Sequence, residues 1–187
     1  MRNLSKIILL SMILLLLGCG KKRISQPMIS ESKTSIRELE YDPAIIQKVK
    51  SILKRVRIKA DESEGLDSLG LATMEEAIEM MGVGLGAVKI LTEELEKEKE
   101  DWRIRFWLID MLGYLNNEYA VRLLTSIMLN SNERRENRIC AIGALGRIGH
   151  DHAMGELRNA LNILTEQDLR ERVAEALIEW KRYNEHR

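Results

Sequence analysis

Apolar residues recur at steps of three and four along most of the chain, the spacing that places side chains on one face of an α-helix. One short pattern returns three times, and its copies open on Arg105, Arg138 and Arg170. In each copy, apolar or small residues follow at the third, sixth and seventh positions after the arginine. A repeat of this length, whose units bury their apolar faces only against neighbouring units, is typical of an α-helical solenoid.

The pattern predicts three helix pairs and a closing helix that caps the stack: 73–81 with 86–97, 102–115 with 118–129, 134–148 with 151–164, and 166–183. Asp42 and Pro43 predict the start of a separate amphipathic helix at 43–57, since an aspartate cap followed by proline favours a first helical turn. Residues 61–70 are expected to form a loop. The globular part is therefore predicted to be all-α, with an N-terminal helix within 41–60 and a repeat domain at 70–183.

The N-terminus carries a different apolar run, from residue 7 to residue 17, preceded by two basic residues. This run is shorter than the ~20 residues that span a bilayer, and a charged start before roughly 7–15 apolar residues is typical of an export signal. It ends in Leu16-Leu17-Gly18-Cys19, which resembles the lipobox of bacterial lipoproteins. The resemblance implies that residues 1–18 are a signal peptide and that the Cys19 sulfur carries a diacylglycerol.

Residues 19–40 are polar, contain several serines and show no sustained period, so they are predicted to form a flexible tether. Two or more acyl chains hold a protein stably on a bilayer. The lipobox resemblance therefore implies a lipid-anchored protein of the cell envelope that faces outside the cytoplasm. Gly20, rather than aspartate, follows Cys19, which resembles lipoproteins of the outer membrane where the source has two membranes.

Charge and cysteine content narrow the possible partners. The chain has 29 basic and 29 acidic residues, and removal of residues 1–18 leaves 27 basic against 29 acidic residues. This balance does not support binding to nucleic acid, because such binding requires a clustered basic face. With Cys19 assigned to lipid, Cys140 has no partner for an intramolecular disulfide, and its place in a predicted helix indicates a small packing residue.

The pattern Arg-x-x-Ala-x-x-Ala-Leu-Gly, with a second helix that opens on Ala-x-x-x-Leu, resembles the short HEAT-like repeats first named in phycobilin lyases. The match is clearest at 138–149 and weakest in the first pair, where Met74 stands in the place of the arginine. Tetratricopeptide and ankyrin patterns are absent from the sequence. The resemblance covers about residues 70–180 and implies a right-handed α-solenoid of stacked HEAT-like helix pairs, preceded by the signal peptide and tether.

Several motifs resemble phosphate-binding or metal-binding sites, but their positions fit structural roles better. Gly143, Gly146 and Gly149 are expected to end a helix, and the glycines of 82–86 to form a turn, since neither group follows a strand as a phosphate-binding loop must. The run 150–152, His-Asp-His, lacks the further ligands that a metal requires. The sequence therefore predicts no enzyme, no cofactor and no metal site. The three repeated arginines are predicted to bond loop carbonyls or acids of the adjacent repeat.

Function is then expected at the surface. In such stacks the second helices line a concave face, whose non-core positions are Lys89, Thr92, Glu93, Glu96, Tyr119, Arg122, Thr125, Ser126, Arg158, Asn159 and Asn162. The candidate partner-binding residues are Tyr119, Arg122, Arg158 and Asn159. The aromatic residues Trp102, Phe106 and Trp107 are predicted to lie mainly in the core, because at least two must turn inward in so short a helix.

Two functions remain open at this point. The first is a lipid-anchored scaffold that binds a protein partner in the cell envelope and contacts the membrane through the lipid on Cys19, without binding nucleic acid. The alternative is a bilin-lyase-like or other protein that handles a small ligand in a pocket of the concave face. A pocket needs an apolar cleft with converging polar groups, whereas a scaffold needs only a broad surface, so the mixed polar face favours the scaffold.

Overall fold

The computed structural model describes residues 42–185, and within that range all regular structure is helical. The predicted signal peptide, Cys19 and the predicted tether lie outside the described residues. The helices are α1 (Pro43–Asp61), α2 (Leu66–Ala72), α3 (Met74–Val83), α4 (Val88–Lys97), α5 (Trp102–Tyr114), α6 (Val121–Leu129), α7 (Arg135–Ile148), α8 (Asp151–Ile163) and α9 (Gln167–Glu185). Short 3-10 turns, Gly84–Ala87 and Glu118–Ala120, precede α4 and α6.

Helix α1 begins where the sequence predicts it. The Asp42 carboxylate accepts a hydrogen bond of 2.8 Å from the Ala44 N–H and so caps the helix ahead of Pro43. The helix continues to Asp61, past the predicted end at residue 57, because the spacing that buries Val56 also buries Ala60.

The predicted loop at 61–70 is wrong, because it contains the first part of α2. Leu69 is 2% exposed within the core, and α2 contacts α1, α3 and α5. The Gly65 N–H donates to Ser68 Oγ at 3.1 Å and so closes the first turn of the helix. Two glycines and several polar residues interrupt the apolar period here, so the sequence pattern does not predict this short helix. The burial of one leucine stabilises it in the fold.

The helices form two layers. Helices α3, α5, α7 and α9 pack side by side in one layer, α4, α6 and α8 lie in the second, and α1 packs against α3 at the N-terminal end. The core between the layers contains the fully buried Leu108, Leu112, Leu124, Leu145 and Leu157. The pairs α3/α4, α5/α6 and α7/α8 therefore follow the period of the sequence repeat.

Arg105 links three consecutive segments of the stack. Its guanidinium donates to the carbonyl oxygens of Leu95, at 2.9 Å, and Glu98 at the end of α4, and it donates through Nε to Glu133 Oε1 at 3.2 Å. Both side chains of the Arg105–Glu133 ion pair are only 9% exposed. Burial acts to raise the pKa of Glu133, but hydrogen bonds from Arg105 and Asn137 outweigh it and hold that pKa below its usual value.

Arg138 repeats this arrangement one unit later. Its Nε donates to the Met128 carbonyl at 2.9 Å, and its Nη1 donates to Glu166 Oε1 at 2.6 Å. The predicted structural role is therefore confirmed for Arg105 and Arg138. It is wrong for Arg170, whose side chain is exposed and has no hydrogen bond or ion pair within residues 42–185.

Small residues allow the first-layer helices to approach closely. A Cβ added to Gly113 would lie 2.8 Å from both Cα and Cβ of Ala144, and one added to Gly146 would lie 3.3 Å from Cβ of Ala176. Gly143 and Gly146 lie inside α7, so the expectation that they end the helix is wrong. Only Gly149 of that motif ends α7, with a φ of 62° that favours glycine.

Candidate interaction surface

The four candidate partner-binding residues lie on neighbouring elements of the second layer. Tyr119 belongs to the 3-10 turn before α6 and is 41% exposed, while Arg122 is exposed on the first turn of α6. Arg158 and Asn159 are both exposed on α8, which packs against α6. The structure therefore places all four side chains at the surface, on two adjacent helices and the turn between the layers.

Two contacts fix this part of the surface. His152 at the start of α8 lies with Nδ1 3.3 Å from Glu118 Oε1, which connects α8 to the turn that carries Tyr119. Arg158 lies with its guanidinium carbon 5.7 Å from the centre of the Trp180 ring in α9. Arg158 is therefore directed toward the closing helix, and it marks the edge of the surface rather than its middle.

The wider row of surface residues needs one correction. Thr92 is buried, at 7% exposure, and its hydroxyl donates to the Val88 carbonyl at 2.8 Å within α4. A threonine can satisfy its hydroxyl inside its own helix, so its polarity does not fix its position at the surface. Thr125, at the corresponding place in α6, is half-buried, whereas Ser126 is exposed.

The aromatic residues of α5 face inward as predicted. Trp107 is 6% exposed, and Phe106 is half-buried against the core. Trp102 is half-buried at the start of the helix, and the Arg134 guanidinium covers its ring at 3.9 Å from the ring centre. These rings stabilise the stack and are not part of the candidate surface.

A polar cluster lies between α5 and α7 on the first layer. Arg147 pairs with Asp110 at 2.5 Å and covers the Tyr114 ring at 4.5 Å from its centre. Burial raises the pKa of Asp110 despite the nearby Arg147. Burial also raises the pKa of the neighbouring Cys140 thiol, which agrees with the prediction that Cys140 is a packing residue rather than a nucleophile.

An exposed apolar patch on the first helix pair was not predicted. Met74, Ile78 and Met81 lie on one face of α3 with exposures of 55%, 61% and 43%, and Leu71 and Leu85 on the flanking elements are exposed by more than half. Their spacing of three and four residues is the same as that of core residues, so the sequence alone does not distinguish this exposed face from a buried one. Contiguous apolar surface of this kind marks interaction sites more often than isolated exposed residues do.

Two open clefts lie on the surface of the described residues. One, of about 460 Å³, is lined by Glu64, Glu100, Asp101, Trp102 and Arg103. The other, of about 380 Å³, lies along α1 and is lined by Lys50, Leu53, Lys54, Arg57, Ile58, Asp61 and Glu94. Both are lined mainly by charged side chains, and neither includes a candidate partner-binding residue.

Two features are absent from residues 42–185, namely a cluster of metal ligands and a membrane-spanning helix. Within that range, no three His, Cys, Asp or Glu side chains are arranged to hold a metal ion. Among the same residues, no helix combines the length and the apolar character needed to cross a bilayer.

Part of this stack is similar to a known family of helical repeats. A family model described as HEAT repeats matches residues 88–178, which run from the start of α4 into α9. No curated protein and no solved structure matches the chain. The described chain is thus all-helical, and its residues 88–178 are similar to HEAT repeats, a type of repeat that commonly serves as a scaffold for protein interactions.

Proposed function

We propose that this protein is a lipid-anchored scaffold of the cell envelope, which uses its right-handed stack of HEAT-like helix pairs to bind a protein partner. The observation that carries the proposal is the HEAT-repeat segment 88–178, whose second-layer helices present exposed tyrosine and arginine side chains in neighbouring positions. Tyrosine and arginine are enriched among the residues that dominate protein interfaces.

The rigidity of the stack supports this function. The Arg105–Glu133 and Arg138–Glu166 pairs tie successive repeats together, and Gly113 lets α5 and α7 pack at close range. A surface held on rigid elements loses little conformational entropy on binding, so more of the contact energy remains as affinity. The open, charged clefts suit a protein surface better than a small apolar ligand, which favours the scaffold over the bilin-lyase-like alternative.

The lipid anchor is supported by the sequence of the N-terminus, where the lipobox-like motif ends at Cys19. Lipid transfer requires the cysteine thiol, and serine does not replace it. We expect Cys19→Ser to abolish labelling by a fatty-acid analogue and to leave an unprocessed precursor. Full labelling of the Cys19→Ser protein would exclude the lipoprotein interpretation.

A pull-down from detergent-solubilised envelopes tests the scaffold. The full-length protein should capture a reproducible set of proteins, and the double variant Arg122→Glu/Arg158→Glu should lose members of that set. Arg182→Glu, an exposed change on α9, is the control and should retain them.

A second variant, Ile78→Ser/Met81→Ser, tests whether the apolar patch on α3 contributes to the binding of these proteins. A small molecule that co-purifies at one equivalent, with no captured protein, would support the pocket alternative instead.

A further inference from the structure

Helix α1 is the most basic helix of the described chain. It contains six basic residues and a single acid, Asp61, whereas residues 62–185 contain 15 basic and 24 acidic residues. The overall charge balance of the sequence conceals this separation. Positive charge is therefore concentrated on the helix that directly follows the predicted tether, and the rest of the described domain is acidic.

Half of the basic residues of α1 bind other helices. Arg55, Arg57 and Lys59 form ion pairs with carboxylates at the end of α4 and on α3, namely Glu76, Glu79, Glu94 and Glu98. Burial acts to raise the pKa values of Glu76 and Glu98, but hydrogen bonds from these basic residues outweigh it and lower both. These three basic residues have a structural role that accounts for their charge.

The other half have no such role. Lys48, Lys50 and Lys54 are exposed, and none of their side chains has a hydrogen bond or ion pair within residues 42–185. Lys50 and Lys54 are one helical turn apart, and both line the open cleft along α1. Ile58, one further turn along, is 50% exposed and lines the same cleft.

The three lysines frame one continuous side of the helix. The core side of α1 contains Val49, Ile52 and Val56, each with no exposed surface. On the opposite side, Gln47 and Ser51 are exposed and uncharged between the lysines. We define the lysine face of α1 as Lys48, Lys50 and Lys54 together with the exposed residues between them.

We propose that the lysine face of α1 docks on the surface of a bilayer that contains anionic lipids. This inference rests on the proposed lipid anchor, because the anchor would hold α1, the first described helix after Cys19, near the bilayer. A tether of this length spans roughly 25 Å when it behaves as a flexible chain. The lysine face is thus within reach of the headgroups.

Charge complementarity decides both the partner and the orientation. Anionic leaflets attract basic residues, and each lysine at the surface raises the partition coefficient about five-fold. The acidic remainder of the domain is repelled by the same surface, so contact through α1 is the favoured orientation. Ile58 adds an apolar side chain at the headgroup boundary next to Lys54.

The first test uses the lipidated full-length protein in vesicles of phosphatidylcholine, with or without phosphatidylglycerol. A fluorophore on Gln47→Cys, at the centre of the lysine face, reports contact with a quencher attached to lipid headgroups. We expect quenching only on vesicles with phosphatidylglycerol, and its loss at high salt. The triple variant Lys48→Gln/Lys50→Gln/Lys54→Gln should show no such quenching. Equal quenching on both kinds of vesicle would overturn the proposal.

A matched control distinguishes the effect of losing the lysine face from the effect of losing net positive charge. The triple variant Lys99→Gln/Arg170→Gln/Arg182→Gln removes three exposed cations elsewhere on the domain and changes the net charge equally. It should retain quenching on vesicles with phosphatidylglycerol. If both triple variants lose quenching equally, no local docking face exists and the proposal is wrong.

A second test does not depend on the anchor. The chain from residue 19 with Cys19→Ser retains every buried core residue of the described range, and these residues lie between Val49 and Val173. Because three lysines contribute about five-fold each, the lysine variant should bind phosphatidylglycerol vesicles about 100-fold more weakly than its parent. Full-length protein that fails to stay on vesicles would contradict the anchor alone. Lysine variants that bind vesicles normally but lose a protein partner would assign the face to an acidic protein and overturn the proposal.

Discussion

Arg105 and Glu133 form an ion pair that is almost fully removed from solvent and that joins α5 to the segment before α7. The arginine also binds the carbonyl oxygens of Leu95 and Glu98, groups that the end of a helix leaves without intrahelical partners. One side chain therefore satisfies two helix-terminal carbonyls and one nearly buried carboxylate. The cost of removing it exceeds that of a surface ion pair.

Replacement of Arg105 by methionine should destabilise the protein strongly. The variant would leave Glu133 nearly buried without its cation, and the loss of one partner from such a pair costs about 3–5 kcal/mol. Urea unfolding of the parent and variant measures the difference. Arg170→Met is the matched control, because Arg170 occupies the same repeat position but is exposed and without a partner in the described chain, so its change should stay within ~0.5 kcal/mol. Equal losses in both variants would contradict the assigned role of Arg105.

The contrast between these arginines shows what the repeat pattern predicts and what it misses. The pattern correctly indicated that Arg105 and Arg138 bond the neighbouring repeat, because a residue at the same place in successive helix pairs meets similar surroundings. It did not identify Glu133 and Glu166, although each follows its arginine at the same distance in sequence. Arg170 carries the same local pattern, but its exposure depends on which helices surround it, and no local pattern contains that information.

Gly113→Ala should also destabilise the stack. The added methyl group would lie 2.8 Å from the backbone of Ala144, so α5 and α7 would have to move apart. Overpacking of this kind costs about 1–3 kcal/mol. Gly155→Ala in α8 is the control, since nothing lies within 4 Å of its added Cβ, and it should stabilise the helix by about 0.5–1 kcal/mol. Thermal melting followed by circular dichroism distinguishes the two, and stabilisation by both substitutions would rule out the close contact.

Helix boundaries were more predictable than surface positions. The apolar period and the Asp101 cap, which accepts from the Arg103 N–H at 2.8 Å, define α5 within one residue of its predicted end. The buried position of Thr92 and the exposed face of α3 depend on the distances between helices, which a periodic pattern does not contain. The short α2 was missed because its glycines and polar residues interrupt the apolar period. The lysine face of α1 was missed because the balanced charge of the whole sequence conceals a basic helix, and because packing decides which of its basic residues form ion pairs.

Leu145→Asp tests the register of the central repeat. Leu145 has no exposed surface, so the variant would bury a carboxylate without a partner in place of an apolar side chain. A loss of several kcal/mol is a large part of the ~5–15 kcal/mol that stabilises a typical domain, and cooperative melting should disappear. Arg158→Glu should change the melting temperature only slightly, because it loses just the exposed contact with the Trp180 ring. Parent-like melting of the Leu145→Asp variant would show that the repeat register is wrong.

The ion pair between Arg138 and Glu166 should make stability depend on pH in a defined range. Hydrogen bonding from Arg138 lowers the pKa of Glu166 from 4.5 to about 2. The unfolded chain therefore takes up this proton at a higher pH than the folded chain does. The contribution of the pair is complete above pH 4.5, declines as the pH falls, and is lost once the pH passes below about 2.

Glu166→Gln should consequently have a lower melting temperature than the parent at neutral pH, and this difference should narrow as the pH falls from 4.5 toward 2. Other carboxylates with lowered pKa values, such as Glu133, remain in the variant, so both proteins should still lose stability in acid. Glu179→Gln makes the same change in net charge without breaking an ion pair, and its melting curve should follow the parent. Calorimetric scans across this range measure the three proteins together. A difference between parent and Glu166→Gln that stays constant down to pH 2 would show that Arg138 does not stabilise the ionised form of Glu166.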